Sequence, residues 1–111
     1  MGWKLMTYVV ANRVFVNPKY YEEFEQRFQK RAGQINKQRG FVLMEVLKPQ
    51  SDKTPYVVQT HWENEQAFQN WVGSEDFKIA HQNPMAKEAF LDGGGIEKYE
   101  VIVSSNTDEA I

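Results

Sequence analysis

The chain has 111 residues, which suits one domain with one core and is too short for two. Its formal net charge is only −2, so neither nucleic acid nor an acidic membrane surface is expected as an electrostatic partner. It contains no cysteine, which excludes disulfides, thiolate nucleophiles and thiolate-bound metals, and which fits a cytoplasmic location. The apolar run over residues 5–11 is too short for a signal peptide or a membrane span. We expect residues 1–111 to form a single domain, with residues 104–111 as a frayed polar tail.

The first predicted elements are a strand and a helix. Residues 5–16 are rich in β-branched and aromatic side chains, and their even positions, Asn12 among them, would line one face of the strand. Pro18 suits the first turn of a helix that ends near Gly33. The apolar face of that helix would consist of Tyr20 or Tyr21, Phe24, Phe28 and Ala32.

A β-hairpin and a second helical region follow. Two apolar runs, residues 41–47 and 55–63, are separated by a loop rich in turn-forming residues, which predicts a hairpin. Asn64 is placed to cap a short helix that Gly73 ends, and Ser74 with the acidic residues after it would start another. Residues 92–95 predict a flexible turn before a last strand over residues 96–103.

The order βαββαβ predicts an α+β, ferredoxin-like fold, in which an antiparallel four-stranded sheet carries helices on one face. The other face of the sheet also carries apolar residues, which must either be exposed or be covered by a partner. We therefore expect a homodimer, with the two sheets packed together or closed into a dimeric α/β barrel.

His81 is the first candidate site residue. If a helix starts at Ser74, then Phe77, His81 and Met85 follow one another along one apolar stripe. The ordinary interpretation is an imidazole bonded to a backbone carbonyl at a helix end. The alternative is a ligand to haem iron, for which neutral imidazole is the commonest protein group. Met85 would lie beside His81 rather than across a haem from it, so core packing is the better interpretation for Met85.

Asn12 and Trp71 are the other two candidates. An amide on an otherwise apolar strand face costs about 1 to 3 kcal/mol when it is buried without partners. The ordinary interpretation of Asn12 is a strand-end amide bonded to the backbone, and that of Trp71 is a core residue at helical spacing from Phe68. His61 shares its strand face with Gln59, which indicates an ordinary polar position.

Taken together, these residues resemble the antibiotic biosynthesis monooxygenase superfamily, and within it the haem-degrading enzymes of the staphylococcal IsdG type. The resemblance extends over about residues 8–103. The Gly40-Phe41 strand start and the strand ending in Trp62 are common across the superfamily, whereas the set of Asn12, Trp71 and His81 is narrower. The motifs that carry it are Ala-Asn12-Arg13, Arg39-Gly40-Phe41 and the run from Phe68 through Trp71, Ser74 and Phe77 to His81.

The resemblance implies a role for each candidate. His81 would be the proximal ligand of the haem iron, and Asn12 would donate an amide N–H to the ligand on the distal side. Trp71 would press on the porphyrin and ruffle it, which moves spin density toward the meso carbons. Phe77 is the remaining residue expected to contact haem, so the predicted binding set is Asn12, Trp71, Phe77 and His81.

The reaction that the resemblance implies is oxidative cleavage of haem b, which is both cofactor and substrate, with release of iron. It would consume dioxygen and electrons from an external reductant. The sequence has no dinucleotide-binding fingerprint, so a separate reductase or a small reductant would supply the electrons. Candidate partners for the haem carboxylates are Arg27, Lys30, Arg31 and Lys78, each of which has solvated charge as its ordinary interpretation.

Two other functions stay open from the sequence. A cofactor-independent member of the superfamily would oxidise a quinol or a polyketide-like substrate in the same pocket, using Asn12 and Trp71 to bind a planar phenol. A haem-binding or sensing dimer would hold haem without turnover. The fold does not distinguish these alternatives, because it serves all of them.

Overall fold

The secondary structure follows the predicted βαββαβ order. A computed structural model describes residues 7–30 and 34–105 of the chain. Its strands are β1 (Tyr8–Val16), β2 (Phe41–Leu47), β3 (Tyr56–Trp62) and β4 (Phe90–Glu100). Its α-helices are α1 (Tyr21–Lys30), α2 (Glu65–Val72) and α3 (Glu75–Ala80).

The strands form one four-stranded antiparallel sheet in the order β2-β3-β1-β4. β1 lies in the interior of the sheet because α1 carries the chain across to β2, and the β2–β3 hairpin then returns beside β1. Asn12 in β1 therefore stands between Val58 of β3 and Ile96 of β4. This topology confirms the predicted α+β, ferredoxin-like fold.

Both predicted helix starts in the second half of the chain are confirmed. The Asn64 side chain accepts a hydrogen bond from the Ala67 amide at 2.9 Å, which caps α2. The Ser74 hydroxyl accepts one from the Phe77 amide at 3.1 Å, which caps α3. The two helices are separate because Gly73 and Ser74 interrupt the helical hydrogen bonding between them.

The first half of the chain differs from the prediction in detail. Pro18 begins a 3₁₀ turn, Pro18–Tyr20, which precedes α1 instead of belonging to it. The Asn17 side chain caps this turn by accepting a hydrogen bond from the Lys19 amide. Some predicted positions lie outside the described residues, namely Leu5 and Met6 of the strand and Arg31, Ala32 and Gly33 at the helix end.

The predicted turn over residues 92–95 is wrong, and so are the predicted bounds of the last strand. These residues lie inside β4, where the pairing with β1 shifts register between Arg13 and Phe15. The glycines permit this bulge instead of ending the strand. Gly93 has a φ of +108°, and a Cβ on Gly94 would lie 2.4 Å from the Arg13 carbonyl oxygen.

Two separate clusters of apolar side chains fill the space between the sheet and the helices. The first core cluster lies under α2 and is centred on the fully buried Trp62; its buried members are Val10, Ile35, Trp62, Ala67 and Trp71. The second core cluster lies under α1 and is centred on Tyr56; its buried members are Val16, Phe24, Tyr56, Met85 and Ala89. Because β1 runs from one cluster to the other, Asn12 falls between them.

The sheet face away from the helices carries the apolar side chains that the sequence predicted. Val9 and Ala11 are buried among their neighbours on this face, whereas Leu43, Leu47, Leu91 and Tyr99 are exposed. β4 is exposed along its whole length as an edge strand. Within the described residues, no helix is both long and apolar enough to cross a membrane.

Candidate functional site

A cavity of about 390 Å³ opens between the two core clusters. A smaller cavity of about 250 Å³ adjoins it on the α1 side. Asn12, Phe28, Val58 and His81 line both, so the two cavities share a wall. Trp71 and Phe77 also line the larger cavity, so the structure brings all four predicted haem-contacting residues together at one site.

Asn12 forms part of the sheet wall of this cavity. Its side chain shares the helix-facing side of β1 with Val10 and Val14, as the alternation predicted. Asn12 is exposed, so the cost of burying its amide without partners does not arise. The amide stands where neither core cluster covers the sheet, so its hydrogen-bonding groups face open space at no desolvation cost.

His81 lies at the opposite, helical wall, immediately after the end of α3. Its ring stacks on Phe77 with centroids 4.1 Å apart, and its Nδ1 lies 2.8 Å from the Phe77 carbonyl oxygen. Because a carbonyl oxygen can only accept, Nδ1 carries the proton, and a neutral ring keeps its lone pair on Nε2. No described residue forms a hydrogen bond with Nε2. The backbone contact of the ordinary interpretation is therefore present, and it leaves Nε2 without a hydrogen bond to the described residues.

The predicted apolar stripe of Phe77, His81 and Met85 is only half right. Phe77 and His81 are in contact, but α3 ends at Ala80 and the chain then leaves the helix. Met85 lies beyond it, buried in the second core cluster, which confirms its packing role. Helical spacing could not be extended past His81, because Gln82-Asn83-Pro84 cannot continue the helix.

Trp71 is both a core residue and a wall of the larger cavity. It is buried, and its indole stacks on Trp62 with ring centroids 6.5 Å apart and planes at 29°. The Phe77 ring meets it edge-on at 5.4 Å. These aromatic contacts hold the indole in one orientation beside the cavity.

Of the predicted carboxylate partners that the structure describes, one lines a cavity and two do not. Arg27 lines the smaller cavity, where it bonds to Glu23 at 3.2 Å and donates to the Asn83 carbonyl. Lys30 and Lys78 line neither cavity, and Arg31 lies outside the described residues.

The cavity residues that the sequence analysis missed include two polar side chains on the sheet. Thr60, on β3, accepts a hydrogen bond from the Trp62 indole at 2.9 Å and faces the larger cavity. Lys98, on β4, also lines this cavity. Lys98 lies inside the predicted last strand, but its place on the helix-facing side follows from its pairing with Val10, which no local pattern gives.

Comparison with known proteins gives a family match. Residues 7–83 match the family described as antibiotic biosynthesis monooxygenase. This segment includes Asn12, Trp71 and His81.

Several curated relatives are similar over most of the chain. A "heme-degrading monooxygenase" of Shouchella clausii is 33% identical over 97 residues, which cover 86% of this chain and 90% of the relative. A "heme oxygenase (staphylobilin-producing)" of Staphylococcus haemolyticus is 40% identical over 78 residues, covering 68% and 74%. A "heme oxygenase (mycobilin-producing)" of Mycobacterium tuberculosis is 34% identical over 104 residues, covering 84% and 98%.

Solved structures give the same comparison in three dimensions. The heme-degrader of Mycobacterium tuberculosis with two hemes bound in its active site superposes with a TM-score of 0.74 at 29% identity, covering 89% of this chain and 99% of that one. A protein of Bacillus cereus from the same broad family gives 0.73 at 22% identity, covering 92% and 99%, and shows the fold alone.

Proposed function

The chain belongs to the antibiotic biosynthesis monooxygenase family, and on that premise we propose that it is a haem-degrading monooxygenase that opens the porphyrin and releases iron. The relatives named as haem oxygenases or haem-degrading monooxygenases, at 33–40% identity, support this activity. They also support the prediction that the chain is an enzyme rather than a non-catalytic haem carrier.

The observation that carries the proposal is the state of His81. The Phe77 carbonyl fixes the tautomer that leaves the Nε2 lone pair available, on the wall of a largely apolar cavity. Haem is a flat, apolar ring with an iron that needs such a nitrogen and with two carboxylates at one edge. The cavity volume lies in the range of small-molecule sites, and its aromatic lining fits a planar ring.

In this cavity, haem would supply the iron that activates dioxygen and the porphyrin that is oxidised. His81 would hold the iron from the helical wall through Nε2. Asn12 stands on the sheet wall, where its amide N–H could donate a hydrogen bond that orients a polar group in the cavity. Trp71, held by Trp62 and Phe77, presents a rigid surface against which the porphyrin would distort.

The oxidant and the electron source are part of the same proposal. Dioxygen is the oxidant that a monooxygenase requires, and the electrons would come from outside the chain, since it has no dinucleotide fingerprint. A separate reductase in the cytoplasm is the partner that we propose.

We also propose a homodimer. Leu43, Leu47, Leu91 and Tyr99 are each 38–52% exposed on the sheet face opposite the cavity. A second copy covering this face would bury them without closing the site. Light scattering at micromolar concentration tests this proposal, and a monomer would contradict it.

The activity is tested by titrating the purified protein with haemin and then adding ascorbate in the presence of catalase. We expect saturation, then decay of the Soret band, new absorbance at longer wavelength and release of iron. Catalase removes free peroxide, so bleaching that survives it is enzymatic.

The two alternatives give different results in the same experiment. Absence of saturable haemin binding would favour a cofactor-independent oxygenase. Saturable binding without loss of the Soret band would favour a haem-binding or sensing protein.

A further inference from the structure

Lys98 stands at the larger cavity on the same side of the sheet as the site. It pairs with Val10 of the first core cluster across the β1–β4 ladder, so its side chain projects toward the helices. Its ammonium lies 5.8 Å from the centroid of the Phe68 ring, which also lines the cavity. The face proposed for dimerisation is the opposite one, so a second copy packed there would leave Lys98 accessible.

The charges around the two cavities are few. Among the described residues, Lys98 is the one lysine, arginine or carboxylate that lines the larger cavity, and Arg27 is the one that lines the smaller. Arg27 is already bound to Glu23 and to the Asn83 carbonyl. Lys98 forms no ion pair with a carboxylate of the described residues, and its contact is with an aromatic ring. A cation without a counter-ion among the described residues, beside a largely apolar cavity, attracts an anion on the ligand.

We propose that the Lys98 ammonium binds a propionate carboxylate of haem at the mouth of the larger cavity and selects for tetrapyrroles with a free carboxylate. This inference rests on the proposed function, because it takes haem as the ligand of the cavity. Phe68 beneath the ammonium supports the lysine stem, and its contact with Tyr8 and Trp62 fixes the ring. Lys98 is thus a specificity-determining residue that the predicted set of carboxylate partners did not include.

The effect should be moderate and electrostatic, because Lys98 is exposed. An exposed ion pair contributes little in water, so Lys98→Gln should weaken haemin binding by a factor of about 1.4 to 5 at low salt. Charge reversal in Lys98→Glu should weaken it further, by about tenfold or more, and 1 M salt should reduce both differences. Lys98→Arg should retain most of the affinity, since it keeps the charge.

The test compares two ligands rather than two activities. The dissociation constants of haemin and of haemin dimethyl ester, whose carboxylates are blocked, are measured for wild type, Lys98→Gln and Lys98→Glu in one solvent. Lys53→Glu, in the exposed β2–β3 loop that lines neither cavity, is the control with the same change of charge as Lys98→Glu. We expect the Lys98 variants to lose affinity for haemin while their affinity for the ester matches that of wild type.

Each outcome decides the inference. Equal losses for haemin and for the ester would overturn it, because Lys98 would then act through packing on Phe68. An unchanged haemin affinity in Lys98→Glu, with wild type still degrading haem, would overturn the inference and leave the proposed function standing. Absence of saturable haemin binding by wild type would overturn both.

Discussion

At the scale of single residues, the site depends on how three side chains are held. His81 has its tautomer set by one backbone carbonyl, and Trp71 has its plane set by two aromatic neighbours. Asn12 has no comparable restraint, since it is exposed on the open part of the sheet. Removing each side chain should therefore change a different step.

His81→Ala should abolish tight haemin binding or change its spectrum, because the nitrogen ligand is lost. The matched control is His61→Gln, which removes the other imidazole. His61 lies on the sheet face away from the cavity, beside Gln59 at 3.2 Å, and its interpretation as an ordinary polar residue agrees with this position. Absorbance titration checks both variants, and a haem spectrum that survives His81→Ala unchanged would refute the ligand assignment.

Asn12→Ala should keep haemin binding but lose turnover, because only an orienting N–H is removed. The loss expected for one such donor is about 10² to 10³ in rate. Because Asn12 is exposed, stability should change by less than about 0.5 kcal/mol. Single-turnover Soret decay and urea unfolding measure the two effects, and equal losses of binding and rate would contradict the assigned role.

Trp71→Phe should bind haem and degrade it slowly, since a smaller ring presses less on the porphyrin. Trp71 is also buried in the first core cluster, so full truncation to alanine would cost about 3 to 5 kcal/mol of folding free energy. Phe avoids most of that loss and keeps the contacts with Trp62 and Phe77. A degradation rate equal to wild type would show that the indole is only a core residue.

At the scale of elements, glycines decide how strands begin and bend. Gly40, immediately before β2, has a φ of +83°, and a Cβ there would lie only 2.6 Å from the Cβ of Ala67 in α2. Its carbonyl accepts from the Glu63 amide at 2.8 Å, which joins the start of β2 to the end of β3. The Gly-Phe motif is thus required by backbone conformation and by helix approach at the same point.

Gly40→Ala should destabilise the fold by about 2 to 4 kcal/mol, since it combines left-handed strain with overpacking against α2. Adding Ala67→Gly removes the clash and leaves the strain. Ala67→Gly alone should cost about 1 kcal/mol, because glycine is a poor helix former. The double variant should lose less stability than the sum of the two single losses, because the clash is gone. Urea unfolding of wild type, Gly40→Ala, Ala67→Gly and the double variant measures this coupling, and strict additivity would contradict it.

The elements also show what the sequence could predict. Caps at Asn64 and Ser74 are local chemistry, and the two helices after them are where they were expected. β4 was misplaced because its three glycines indicate a turn in any local reading, whereas pairing with β1 holds them in a bulge. Lys98 was missed for a different reason: it lies inside the predicted strand over residues 96–103, but only its pairing with Val10 shows that it faces the helices. The motifs predicted that Asn12, Trp71 and His81 lie at one site. The exposure of Asn12 was not predictable, because it depends on the gap between the two core clusters, which no local pattern reveals.

At the scale of the whole molecule, one polar group lies in the second core cluster and links folding to pH. The buried Tyr56 hydroxyl donates to Glu25, which also pairs with Lys48 at 3.1 Å. The Tyr56 hydrogen bond and Lys48 lower the pKa of Glu25. Burial, and then the hydrogen bond to Glu25, raise the pKa of Tyr56.

These opposite pKa shifts predict that the free energy of unfolding is highest at intermediate pH and falls at an acid edge and at an alkaline edge. The contribution of Glu25 is present above its unfolded pKa of 4.5 and is lost as pH falls through its lower folded value. The contribution of Tyr56 is present below its unfolded pKa of 10.0 and is lost as pH rises toward its higher folded value. Tyr56→Phe should cost about 1 to 3 kcal/mol at neutral pH and should flatten the alkaline edge.

Urea midpoints measured from pH 3 to pH 11 check this prediction. The pKa values of Tyr8 and Tyr99 are also raised, but both residues remain in the variant, so the difference between the two curves isolates Tyr56. An alkaline slope unchanged by Tyr56→Phe would contradict it.

The division of the core between α1 and α2 has a consequence for cooperativity. The side chains of each core cluster pack against one another, and the larger cavity lies between the two clusters. A porphyrin bound in this cavity would contact both clusters and would join them into one continuous hydrophobic core. Amide hydrogen exchange should accordingly show two independently opening blocks in the free protein and a single, more slowly opening unit once haemin is bound.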